Sequence, residues 1–104
     1  MPRLVAAPSD MPEGAVRVQR VIAATPRIEV LRYLLNHPNS TIVDIVEGCG
    51  LARETVRAAI ADLEETYVTG SIEAGQRRGR PVSFSVDRST LAKDLGALQA
   101  YLLG

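Results

Sequence analysis

The chain has 104 residues, enough for one small domain with a single core and short enough that oligomerisation would help it. Aromatic residues make up 4% and tryptophan is absent, so the core has to be aliphatic. The formal net charge is zero, which argues against a chain that coats nucleic acid indiscriminately and leaves room for a local basic patch. One cysteine excludes an internal disulfide, and Cys49 with the single His37 does not make a multi-ligand zinc site, so no metal and no cofactor is expected.

Residues 1–14, MPRLVAAPSDMPEG, hold three prolines among small and polar residues and predict a flexible N-terminal arm, whose Arg3 could at most graze a phosphate. The apolar patch there is too short for a signal-peptide core, and no later run approaches a membrane span. The expectation is a cytosolic chain without a membrane partner. From Ala15 to Ala24 the valines fit either a strand or a helix, and a short helix is preferred. Thr25-Pro26 reads as a helix start with threonine as cap and proline in the first turn. Ile28, Leu31, Leu34 and Leu35 would form that helix's buried face. The helix should stop at Asn36, ahead of His37 and Pro38, because proline disfavours helical geometry in the residue before it.

The stretch from Ser40 to Thr69 has the spacing of two helices joined by a tight turn. Thr41 and Asp44 make a capping box, and Ile42, Ile45, Val46 and Cys49 share one face. Gly48 and Gly50 are expected to end that helix. The second helix starts from Ala52 and buries Val56, Ala59, Ile60 and Leu63, leaving Arg53, Glu54, Arg57, Ala58 and Ala61 outside. Two arginines and small residues on an exposed N-terminal turn suit the major groove of DNA, which admits one helix and offers guanine O6 and N7 to a guanidinium. A solvated helical hairpin is the plain alternative.

A hairpin follows, with Val68, Ile72 and Ala74 leading out and Val82, Phe84 and Val86 alternating with serines on the return. Its tip, Gly75 to Pro81, contains three arginines and two glycines. A bare turn has no use for that much positive charge, whereas a phosphate backbone or a minor groove does. Arg78-Gly79-Arg80-Pro81 also resembles the AT-hook core. The final segment, residues 89–104, reads as a helix capped by Ser89, with Leu91, Leu95, Leu98 and Leu102 forming a coiled-coil seam. Such a seam seeks a second copy of the chain, or else packs back on its own domain.

From about Val21 to Val86 the chain resembles a winged helix-turn-helix transcriptional regulator of the ArsR/MarR-like kind. The likeness is carried by TPRIEVLRYLLNHPNST, TIVDIVEGCGL, ARETVRAAIADLEE and SIEAGQRRGRPVSFSV, and the span it covers is nearly two thirds of the length. It implies a mainly α fold with a small β-hairpin: a three-helix core plus wing over residues 15–88, and a C-terminal dimerisation helix over 89–104. It also implies that Arg53, Glu54, Thr55 and Arg57 face the major groove, while Arg77, Arg78 and Arg80 straddle backbone and minor groove. Ala52 departs from the usual serine or threonine cap. Tyr67 stands where a glycine commonly closes the recognition helix, a duty Gly70 could take. The function that follows is a sequence-specific double-stranded DNA-binding regulator, a repressor acting as a homodimer, with any small-molecule effector unknown. A winged helix used for protein–protein interaction and a phage or plasmid architectural DNA-binding factor are the alternatives. No nucleophile–base pair or phosphate loop supports an enzyme.

Overall fold

In the computed structural model, which describes residues 10–104, the chain runs through five helices and one antiparallel hairpin. In order these are α1 (Glu13–Ile22), α2 (Thr25–Asn36), α3 (Ile42–Cys49), α4 (Arg53–Leu63), β1 (Val68–Gly70), β2 (Phe84–Val86) and α5 (Arg88–Leu103). A 3-10 turn over Ala74–Gln76 lies in the loop between the strands, where the alternation in the sequence predicts that Ala74 extends the hairpin. Most of the expected arm falls outside the described residues, as does Arg3. Its last part is helical: Pro12 is the N-cap of α1, and Glu13 and Gly14 form its first turn.

Helix α1 buries Ala15, Val18 and Val21, the helical option for its valines. Helix α2 begins one residue earlier than the Thr25 cap suggests. Ala24 is the N-cap, its carbonyl accepting from the Arg27 and Ile28 amides, and Pro26 sits in the first turn, where its missing N–H removes no intrahelical bond. The buried face of α2 is Val30, Leu31 and Leu34, while Ile28 is 41% exposed and Leu35 only partly covered. The periodicity of α2 allows either stripe. Packing against α3 and α4 selects the one containing Val30.

Pro38 and Asn39 turn the chain, Asn39 in the left-handed region at φ 63°, and deliver Ser40 to the hairpin. The Phe84 amide donates to the Ser40 carbonyl at 2.8 Å, and the Asn39 amide donates to the Phe84 carbonyl at 3.0 Å. The start of α3 is thereby tied to the base of β2. The capping box forms: the Asp44 amide donates to Thr41 Oγ1, and the Thr41 amide donates to Asp44 Oδ2. Gly50, at φ 69°, closes α3 in the left-handed conformation that a Cβ would penalise. Gly48 does not end the helix; it lies inside α3 against the Tyr33 ring.

Helix α4 buries Val56, Ala59, Ile60 and Leu63, the stripe expected from sequence. It leaves its last turn through successive backbone hydrogen bonds, with Tyr67 N donating to the Leu63 carbonyl at 2.9 Å. Tyr67 is thereby carried into the core, fully buried, and Gly70 becomes the end of β1 rather than the helix terminator. The strands are short, pairing Val68 with Val86, Thr69 with Ser85 and Gly70 with Phe84. One core joins Val18 and Val21 of α1, the α2 and α4 stripes, Ile45, Tyr67, Val68, Phe84 and Leu91. Each fully buried Leu or Val contributes about 1.5 to 3 kcal/mol through removal of apolar surface from water.

Helix α5 is capped by Asp87, not Ser89: Asp87 accepts from the Thr90 amide at 3.1 Å and from the Thr90 hydroxyl at 2.6 Å. These bonds, the hydroxyl first, hold the Asp87 carboxyl below the usual carboxylate range. The helix packs along α1. Its inward stripe is Leu91, Asp94 and Leu98, so the leucine seam is split: Leu91 belongs to the core and Leu98 packs against it, whereas Leu95 and Leu102 are 42% and 70% exposed.

Candidate nucleic-acid interface

The sequence-predicted arginines fall on two neighbouring elements. Arg53 and Arg57 stand one turn apart on the exposed side of α4, and Arg78 and Arg80 stand on the loop between β1 and β2. All four are exposed, and none enters the ion pairs found among the described residues. Between the two elements runs a cleft of about 610 Å³ whose walls include Arg53, Arg57, Arg80 and Pro81, and whose floor includes Ile60 and Phe84. A positively edged groove with an exposed helix along one wall and a loop along the other is a shape into which a phosphate backbone can run.

The remaining residues expected at this surface divide. Glu54 and Thr55 line a shallower depression on the opposite flank of α4, shared with Pro26 and Arg27. Thr55 is half-buried. Arg77 turns inward. Its Nη1 and Nη2 donate to the two Glu64 oxygens at 2.8 and 2.7 Å, its Nε donates to the Ile72 carbonyl at 2.8 Å, and its guanidinium lies 5.3 Å from the Phe84 ring centroid. The bond to Glu64 raises the Arg77 pKa above its ordinary value, so the guanidinium stays charged.

A second polar cluster, which sequence reasoning missed, supports the α4 exit from behind. Arg17 Nε and Nη2 donate to the Asp94 carboxylate at 2.7 and 3.0 Å, and the buried Tyr67 hydroxyl donates to Asp94 Oδ2. Hydrogen bonding from Arg17 first, and from Tyr67 as well, holds Asp94 below its ordinary 3.8, outweighing the burial that opposes it. Burial first, and the neighbouring carboxylate second, push the Tyr67 phenol well up, so it remains a donor. The one sequence signal for this cluster is that Asp94 interrupts the inward stripe of α5 between Leu91 and Leu98, where an unpaired carboxylate would be costly.

On the far side of α2, His37 is exposed and its ring stacks on Tyr33, 4.3 Å between centroids. The partly buried Cys49 thiol, pushed up by burial and then by Glu29, donates to the Glu29 carbonyl at 3.6 Å. Among the described residues no three His, Cys, Asp or Glu side chains gather as metal ligands. No helix among them is long and apolar enough to cross a membrane.

By sequence, no family model and no curated protein matches the chain. By structure, several solved proteins do. Bordetella bronchiseptica BpsR, solved to explain regulation of its DNA binding by 6-hydroxynicotinic acid, superposes with a TM-score of 0.58 at 19% identity, over 84% of this chain and 70% of that one. A mutant of S. aureus MepR bound to an oligodeoxyribonucleotide gives 0.57 at 17% identity, over 86% and 65% of the two chains. A possible transcriptional regulator from Methanosarcina mazei gives 0.55 at 17% identity, over 82% of each. The fold is a winged helix-turn-helix.

Within a winged helix-turn-helix, α3 and α4 are the paired helices, α4 stands in the position called the recognition helix, and the β1–β2 loop in the position called the wing. The recognition helix carries Arg53 and Arg57 toward the wing and Glu54 and Thr55 away from it. The helices α1 and α5 form an outer pair laid on the winged core, and α5 presents Leu95, Leu102 and Leu103 to solvent.

Proposed function

We propose that the chain is a sequence-specific double-stranded DNA-binding transcriptional regulator that acts as a homodimer and represses the genes it binds. The observation that carries this reading is the cleft between recognition helix and wing, edged by Arg53 and Arg57 on one side and by Arg80 on the other, all exposed. Arg53 and Arg57 read base edges in the major groove, Thr55 and nearby backbone hold phosphates, and Arg78 and Arg80 grip the flanking backbone and minor groove. A neighbour of the same fold, MepR, has been solved with DNA, which supports this use of the surface. The exposed leucines of α5 provide the face for a second copy, as an apolar helical strip in water favours cover. Two-fold symmetry then sets half-sites about 34 Å apart, one helical turn, or a multiple of it.

The test is a selection of bound fragments from the source genome. The winners are titrated at several salt concentrations with wild type, Arg57→Ala and Arg80→Ala. Arg57→Ala should lose about 1 to 3 kcal/mol on the selected site and relax its sequence preference; Arg80→Ala should weaken all sequences and lower the salt slope by about one. Intact affinity and intact preference in Arg57→Ala would overturn the docking model.

A further inference from the structure

Arg77 shares a short loop with Arg78 and Arg80, yet the structure commits it elsewhere. Its guanidinium nitrogens Nε, Nη1 and Nη2 all donate within the protein, to Ile72 and to both oxygens of Glu64. Glu64 is the C-cap residue of the recognition helix, so this ion pair spans directly from that helix to the wing. It is the one hydrogen-bonded link, among the described residues, between the helix and the wing loop over 72–82. The two ends of the loop are joined at its neck, where the Ser71 amide donates to the Ser83 carbonyl at 2.8 Å and the Ser83 amide to the Ser71 hydroxyl at 3.0 Å.

The surroundings are shaped for this arrangement. The guanidinium lies over the Phe84 ring, and a Cβ at Gly70 would overlap its Nη2, so glycine at this strand position leaves the guanidinium the place it occupies and a side chain there would push it aside. Both side chains are 22% exposed, dry enough for a bidentate pair to hold one geometry. The next turn starts from the same residue, because the Arg80 amide donates to the Arg77 carbonyl at 3.0 Å. Fixing Arg77 therefore fixes where Arg80 begins, on the opposite edge of the cleft from Arg53 and Arg57.

We propose that Glu64 and Arg77 form a clamp that positions the wing against the recognition helix, so that Arg77 serves the DNA surface by placing Arg80 rather than by touching DNA itself. The proposal builds on the DNA-binding reading above, but the clamp can be measured without DNA. A direct phosphate contact and a clamp respond oppositely to two substitutions. Glu64→Gln removes a negative charge close to the DNA surface, which on electrostatics alone tightens binding. Arg77→Lys retains the positive charge but not the planar fork, so a phosphate contact survives it and a bidentate clamp does not.

The experiment measures amide hydrogen exchange across residues 71–83 in DNA-free protein, and then DNA affinity over a salt series, for wild type, Glu64→Gln and Arg77→Lys. With the clamp, both variants exchange faster across the wing while the amides of α2 and α4 keep wild-type protection, which shows that the fold is intact. Both then bind the selected DNA about three- to tenfold more weakly, Glu64→Gln included. Wild-type exchange across the wing in both variants would overturn the proposal, as would Glu64→Gln binding DNA as tightly as wild type or more so. If wild type binds no DNA at all, the DNA-binding reading fails, while the exchange measurement still decides whether the clamp holds the wing.

Discussion

The Arg17–Asp94 and Glu64–Arg77 pairs use the same two functional groups at different depths. Asp94 has 2% of its side chain exposed and receives donors from Arg17 and Tyr67, whereas Glu64 and Arg77 each keep 22% in contact with solvent. An anion taken almost wholly out of water is tolerable only when donors replace its hydration, so the Asp94 cluster constrains three separate parts of the chain at once: α1, α5 and the exit of α4. A pair that stays partly wet has less desolvation to offset and less to lose on disruption. Depth thus separates a contact that holds the fold together from one that orders a single loop.

The comparison is sharpest when the deep site is broken first. Asp94→Ala strands the buried Tyr67 hydroxyl, while Arg17, 39% exposed, can turn to water. The expected loss is about 2 to 4 kcal/mol in denaturant unfolding, and a loss below about 1 kcal/mol would mean that the cluster is not structurally decisive. The same site sets an acid response. Asp94 titrates below 3.8 when folded and near 3.8 when unfolded, so its stabilisation is complete above that value and is lost as pH falls through it toward the folded pKa. The stability advantage of wild type over Asp94→Asn should therefore shrink as urea titrations move from about pH 5 to about pH 2.5. An advantage constant over that range would remove ionised Asp94 from the explanation.

At the shallower pair, Glu64→Gln should cost about 1 kcal/mol or less of global stability, with its effect confined to the wing. A loss as large as that of Asp94→Ala would erase the distinction drawn from depth. Shallower still is Arg27–Asp62, where the carboxylate is 53% exposed and the bond lengths are 3.0 and 3.2 Å. Asp62→Asn should shift the unfolding midpoint by the equivalent of about 0.5 kcal/mol at most.

Much of the core and of the outward surface was legible in the residues. The recognition helix stripe Val56, Ala59, Ile60 and Leu63 follows from a 3.6-residue period with no competing stripe, and the Thr41–Asp44 box is a local motif whose partners lie within one turn. Where two stripes were compatible with the same period, sequence misplaced a residue, as with Ile28, which is exposed while Val30 is buried in α2, and it did not separate the α5 leucines that meet the core, Leu91 and Leu98, from those that face solvent, Leu95 and Leu102. In both helices the inward face depends on neighbours remote in the chain. The caps Ala24 and Asp87 each lie one or two residues from the threonine and serine that composition suggests, because helix ends answer to the backbone path around them.

The sequence by itself determined the order of the elements, the paired helices, the arginine-rich loop and most of the aliphatic core, because these are written in local periodicity and turn chemistry. Only the tertiary structure decided which charges are spent inside the protein. Arg77 differs from Arg78 and Arg80 in nothing but position, and Asp94 from any acidic residue on a helix surface only in what lies opposite it. Their partners are 13 residues away for Arg77, and 77 and 27 residues away for Asp94. Charge pairing at that range acts through space rather than along the chain, so it is settled when α1, α4, α5 and the wing come together.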